Sequence, residues 1–328
     1  MTRRPQPARR PAEARRPQET RRPHKAAASG PALRLIPLGG MGEIGKNLYL
    51  YEYQDTIILV DCGLAFPDET TLGVDIIIPD ISYLRARRSA VKAVLITHGH
   101  EDHVGALPHI LPELPGVPVY ASTLARGLLA NKLKEFKVTA NPLRPLDPGG
   151  KLEVGPFVIE AFRVGHSIPD AMGYAIHSPV GTVIHTGDFK FDQTPADGKT
   201  ADFAMLAKFG AQGVLALVSD STRAEAPGYT PSEQVVGQAF KGIISTAPGR
   251  VIIATFASNI ARIQQVLDAV GQRPPPAAVD HPLDHAAVGD QQLQQRHQVG
   301  RAPVAVDVGL GKADVAGLQG GRQWLPVV

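Results

Sequence analysis

The chain has 328 residues, 43% of them hydrophobic and 20% charged, the composition of an ordinary globular protein with length for about two domains. Its longest apolar runs, Ile57 to Val60 and Val214 to Val218, fall far short of the roughly 20 residues a membrane span needs. A single cysteine, Cys62, excludes an internal disulfide framework and any zinc site built on cysteines, and it fits a reducing compartment.

The net charge of +3 is unevenly spread. Residues 1–25 carry nine Arg or Lys against Glu13 and Glu19, so the remainder is mildly acidic. Arg-Arg-Pro recurs every six residues, at Arg3, Arg9, Arg15 and Arg21. Prolines at that spacing prevent a continuous helix, and little apolar surface is available to bury, so residues 1–30 are expected to be a disordered basic tail. Two roles remain open for it, a solubilising extension and a non-specific contact with a polyanion. It has neither the apolar core of a secretory signal nor the unbroken amphipathic helix of a transit peptide.

From residue 33 short β-rich runs follow one another: 33–38, 47–53, 56–61, 91–97, 157–164, 173–178, 182–186, 214–219 and 251–256. Helical patterns interleave at 104–113, 123–135, 231–246 and 258–269. For the third helix the sequence predicts Thr230 as N-cap, Pro231 at N1 and Glu233 closing a capping box. Val235, Val236, Ala239, Phe240, Ile243 and Ile244 form its apolar stripe. The order of elements predicts an α/β protein with sheets covered by helices. After about residue 270 neither period 2 nor 3.6 is sustained.

The chemistry concentrates in Thr97-His98-Gly99-His100-Glu101-Asp102-His103, between a strand and a helix. Four potential ligands in six residues, imidazoles beside a carboxylate, suit Zn²⁺, and a solvated polar turn is a poor account of them. His166 and Asp188 each follow a downstream strand and complete the spacing of a dinuclear site. His177 and His185 are expected to be structural, and His109 to be an exposed helix residue. Gly40-x-Gly42-x-x-Gly45 imitates a nucleotide-binding loop. However, Asn47 stands where a P-loop needs Ser or Thr, and a strand follows where a helix is required.

His-Gly-His-Glu-Asp-His, then Gly165-His166, then Gly187-Asp188 is the pattern of metallo-β-lactamase-fold hydrolases. Residues 38–47, Asp61-Cys62-Gly63, 186–190, Ser219-Asp220-Ser221-Thr222 and Thr255-Phe256-Ala257-Ser258-Asn259-Ile260 extend the match. Over about residues 33–270 the chain resembles the ribonuclease J family, in the β-CASP nuclease branch. The resemblance implies a metallo-β-lactamase αββα sandwich at 31–225 and the start of an inserted β-CASP α/β domain at 226–270. It implies a zinc-dependent 5′–3′ exoribonuclease and endoribonuclease of the cytoplasm, homo-oligomeric and without a membrane partner.

Carried over, the family's two zinc ions fall to His98, His100 and His166 on one side and to Asp102 and His103 on the other, with Asp188 between them. Asp220 matches the acidic β-CASP motif, and Asp102 and Asp220 carry the catalytic expectation. Ser258 and Asn259 fall where the inserted domain faces RNA; they also read as an N-cap. Residues 271–328 depart from the family and lack its later His-x-Ser-Gly-His segment, which predicts a fragment or, in preference, a change of reading frame near residue 270. That departure leaves impaired activity as an expectation. It also keeps two rivals in view: a thioester or lactam hydrolase of the same fold, and an inactive RNA-binding remnant.

Overall fold

The computed structural model describes residues 30–247 and 251–272, together with the backbone of Ala305–Gly309. The Arg-Arg-Pro repeats and most of the segment after residue 272, with His281, His285 and His297, lie outside the described residues.

Two sheets stack face to face. The first runs in spatial order β1 (Leu33–Gly39), β2 (Leu48–Tyr53), β3 (Thr56–Val60), β4 (Val91–Leu95), β5 (Val119–Ala121) and β6 (Leu143–Pro145). Its first pairings are antiparallel, and those from β3 to β6 are parallel. The second sheet holds β7 (Lys151–Val154), β8 (Phe157–Arg163), β9 (Met172–Ser178), β10 (Gly181–His185) and β11 (Ala216–Val218), paired in sequence order. All are antiparallel except β10 with β11.

Strand periodicity builds this sandwich. In β2, Tyr49, Tyr51 and Tyr53 turn inward onto Phe157, Ile159 and Tyr174 of the other sheet, whereas Leu48 and Leu50 turn outward. Both faces of β2 are covered, so every residue of it is buried. The outward face packs on the short helices α1 (Ser82–Arg85), α2 (Glu101–Val104) and α3 (Leu107–Ile110) and on α4 (Thr123–Glu135), through Leu84, Val104, Leu107, Leu129 and Leu133 among others. On the far side α5 (Phe203–Gln212) seats Phe209 against Phe162 and Ile184. The layers are therefore α, β, β, α, as the family resemblance implies.

Beyond residue 225, α6 (Glu233–Thr246) and α7 (Ile260–Gly271) pack through Phe240, Ile244, Val266 and Ala269, next to β12 (Ile252–Phe256). β12 pairs in parallel with β13 (Ala305–Gly309), so the segment expected to lack periodicity holds one strand.

Four local expectations are corrected. The helix expected at 104–113 is broken into α2, α3 and a 3-10 turn (Leu111–Glu113), with Pro108 and Pro112 near the start of the last two. Each of those prolines lacks the N–H a continuous helix needs. α6 starts two residues later than expected, with Ser232 as its N-cap accepting from Gln234 N–H. Its apolar stripe is narrower, since Phe240 and Ile244 are buried while Val235 and Ile243 are exposed. The helix α5 and the short strands β5 to β7 have no counterpart in the sequence reading.

Candidate metal centre

The ends of β3, β4, β8, β10 and β11 converge at one rim of the sandwich, beside the loop from β1 to β2. Backbone bonds lace three of these segments together. Cys62 N–H donates to His103 C=O at 2.7 Å, Gly63 N–H to Asn47 C=O at 2.9 Å, and Asn47 N–H to Asp102 C=O at 3.1 Å. Gly63 is required here: a Cβ on it would lie 1.5 Å from the Asp102 carbonyl oxygen. The glycine loop is a strand-to-strand connection lining the site, as expected.

The fold brings six sequence-identified residues together. His98 Nε2 and His166 Nε2 stand 3.0 and 3.1 Å from His100 Nδ1. His103 Nε2 lies 3.5 Å from Asp102 Oδ2 and 3.3 Å from Asp188 Oδ1, while the other Asp188 oxygen is 3.8 Å from His166 Nε2. Asp188 thus sits between the two groups. Asp220 lies on the same cleft, where its carboxylate accepts from Thr222 N–H at 2.7 Å. Ser258 and Asn259 enter less directly. The Ser258 backbone is close enough to favour a proton on His100, and Asn259 caps α7 by accepting from Arg262 N–H.

At His98 and His166 the electrostatics disfavour a proton. Burial, reinforced by the neighbouring imidazoles, pushes His98 well below the usual imidazole range, and burial above all takes His166 to about 4. These rings are neutral at pH 7 and present lone pairs to one point. Burial would also depress His103, but the Asp61 and Asp188 carboxylates outweigh it and raise its proton affinity. Burial raises Asp102; it would raise Asp188 too, but the hydrogen bond and charge of His103 more than offset it.

The donor set fits zinc. Zinc held by imidazole at about 2.0–2.1 Å with tetrahedral angles places its ligand atoms roughly 3.3 Å apart, close to the separations found here. His98, His100 and His166 form one group of converging donors, and His98, His103 and Asp188 a second.

Sequence reasoning missed the residues that aim these donors. Asp61, fully buried, accepts from Thr97 N–H and Thr97 Oγ–H, each at 2.8 Å, and from His103 Nδ1–H at 2.7 Å. The Thr97 hydroxyl hydrogen is thereby committed, so Thr97 Oγ1 accepts from His98 Nδ1–H at 3.0 Å. His98 is left with Nε2 as its lone-pair nitrogen, and both rings turn Nε2 toward the cluster. The only sequence signal was Asp61-Cys62-Gly63 itself. Cys62 is fully buried.

His177 pairs with Thr182 and Glu160 away from the centre, and His109 is an exposed residue of α3. His185 Nδ1 is hydrogen-bonded with the Tyr51 hydroxyl at 2.9 Å inside the sandwich, although its ring also reaches the cleft.

A family profile described as the metallo-beta-lactamase superfamily matches residues 41–228, which include all seven of His98, His100, Asp102, His103, His166, Asp188 and Asp220. The chain belongs to that superfamily. Within it, the chain is 49% identical over 242 residues to ribonuclease J of Thermus thermophilus, covering 72% of this chain and 42% of that protein. It is 47% identical over 241 residues to ribonuclease J2 of Bacillus subtilis, covering 73% and 43% respectively. The chain therefore spans less than half the length of these curated relatives. A solved structure from Enterococcus faecalis, titled as a protein of unknown function, overlays with a TM-score of 0.56 at 19% identity. It covers 74% of this chain and 64% of that one, a likeness of fold.

Proposed function

We propose that this metallo-beta-lactamase domain hydrolyses RNA phosphodiesters as ribonuclease J does, by 5′–3′ exonuclease and endonuclease action at a dizinc site. The observation that carries the reading is Asp188, poised between His103 and His166 at 3.3 and 3.8 Å, in a chain 49% identical to a ribonuclease J.

In this assignment His98, His100 and His166 would hold one ion and Asp102 and His103 the second, with Asp188 placed to serve both. Bound there, a zinc pair supplies Lewis acidity to the phosphoryl oxygens and to a water nucleophile. The chain's own residues do the rest. Asp61 and Thr97 fix the tautomers that turn lone pairs toward the ions. Asp102, on the same cleft, would also help to orient the attacking water. Asp220 holds the loop 219–222 at the cleft and faces Phe189 N–H at 3.5 Å. Ser258 and Asn259 meet RNA at the start of the inserted domain. No helix among the described residues is long and apolar enough to cross a membrane. A cytoplasmic homo-oligomer acting on RNA completes the reading.

The test is hydrolysis of labelled single-stranded RNA by the chain after chelation and after zinc is restored. Zinc-dependent cleavage abolished by His98→Ala with His100→Ala is the expected result. Hydrolysis of a lactam or thioester with RNA left intact would overturn it.

A further inference from the structure

The cleft beside the cluster, about 340 Å³ in volume, presents carboxylates from Glu43, Asp102, Asp188 and Asp220. Among its lining residues Arg223 carries the lone permanent positive charge. Its guanidinium makes no ion pair or hydrogen bond with the described residues, although carboxylates line the same cleft. A cation kept on that lip and left without a protein partner is available to a ligand.

The backbone adds a second, independent observation. Ala224 N–H donates to Ser221 C=O and closes a turn in which Arg223 is the third residue, at φ 63°. That left-handed position favours Gly or Asn, and a long Cβ-bearing side chain is strained there. The turn alone therefore gives no reason for arginine. A substrate requirement does, since the planar guanidinium forms paired hydrogen bonds with the oxygens of a phosphate group.

We propose that Arg223 grips a backbone phosphate of the nucleic-acid strand lying in this cleft, next to the phosphodiester presented to the His and Asp cluster. The inference rests on the RNA-hydrolase reading and names one of its substrate contacts. The contact sets a fixed positive charge on the same lip as Asp220, and it fixes the register of the strand against the cluster.

Arg223→Asn and Arg223→Lys in the full chain test it, with zinc-loaded protein and a single-stranded RNA oligonucleotide. Asn suits the left-handed backbone, so the thermal midpoint of that variant should equal or exceed the parent's. Its KM for RNA should rise roughly tenfold, the loss of one charge-assisted hydrogen-bonded contact, with a smaller change in kcat. The slope of log affinity against log salt should become shallower by about 0.7, one single-strand phosphate contact. Arg223→Lys should keep the salt slope and recover part of the KM. A parent chain that neither binds nor cuts RNA overturns the underlying reading. A parent that does both, with Arg223→Asn matching it in KM and salt slope, overturns this inference alone.

Discussion

His103 donates its Nδ1 hydrogen to Asp61 at 2.7 Å, across 42 residues of sequence, and neither side chain meets solvent to any useful extent. That bond turns Nε2 of His103 toward Asp102 and Asp188 and locks the ring where β3 and β4 end side by side. Removing the carboxylate would strand three buried donors at once, the N–H and hydroxyl of Thr97 and the imidazole.

Asp61→Ala is therefore expected to cost about 3–5 kcal/mol of stability, the range for breaking one side of a buried pair. Denaturant unfolding measures it. Asp61→Asn keeps one acceptor and should fold better, while zinc affinity still falls on the order of 10- to 100-fold, as for other partners of a metal-binding histidine. Equal zinc affinity in Asp61→Asn and the parent would remove Asp61 from the account of the centre.

Asp188 and His185 lie three positions apart and separate ligand from bystander. Asp188 contacts both histidine groups, whereas His185 is hydrogen-bonded to Tyr51 and packs edge-on against Tyr49. Metal analysis of the purified variants should show a large loss of zinc in Asp188→Ala and near-parent content in His185→Ala. Similar losses in the two would contradict the bridging role.

The longer strands and the ligand cluster were legible because their signals are local. Tyr49, Tyr51 and Tyr53 alternate with Leu48 and Leu50, and four donors crowd residues 98–103. The start of α6 was not legible, because hydroxyl residues at 230 and 232 compete as caps and the winner is chosen from outside the helix. Asp192 accepts from Glu233 N–H at 2.8 Å, and the Ser232 hydroxyl donates to Thr194 C=O at 2.9 Å, which together fix Ser232 as the cap. Asp61 was hidden for a related reason, since its work is done on residues that only the sheet brings near.

Acid should destabilise the protein through His185 in particular. Burial holds this imidazole at about 4, against an ordinary value near 6.5. Below pH 6.5 the unfolded chain takes up a proton that the folded chain refuses until about pH 4, so stability falls as pH drops through that window. The share from this one group is roughly 2–3 kcal/mol by pH 4.5. His185→Gln cannot titrate, so urea unfolding of chelated protein at pH 7 and 4.5 should show a smaller acid loss in the variant by that amount. Parallel losses in both proteins would mean that His185 does not carry this linkage.

The basic tail should govern RNA affinity without governing chemistry. Residues 1–25 hold nine cationic side chains against two acidic ones, while the remainder of the chain is net acidic. Each phosphate contact made by a cation releases counterions, so affinity carried by the tail falls steeply with salt. The metal donors lie at residues 98–188, remote from the tail in sequence, so zinc content should not change when residues 1–30 are deleted. The salt slope of RNA binding should flatten by several times the change expected from Arg223→Asn, because many charges are lost rather than one. A binding series at several salt concentrations, for the full and truncated chains, distinguishes the two roles open to this segment. Superimposable slopes would leave the tail as a solubilising extension. A flattened slope with unchanged zinc would make it the general electrostatic contact that brings RNA to a cleft lined with carboxylates.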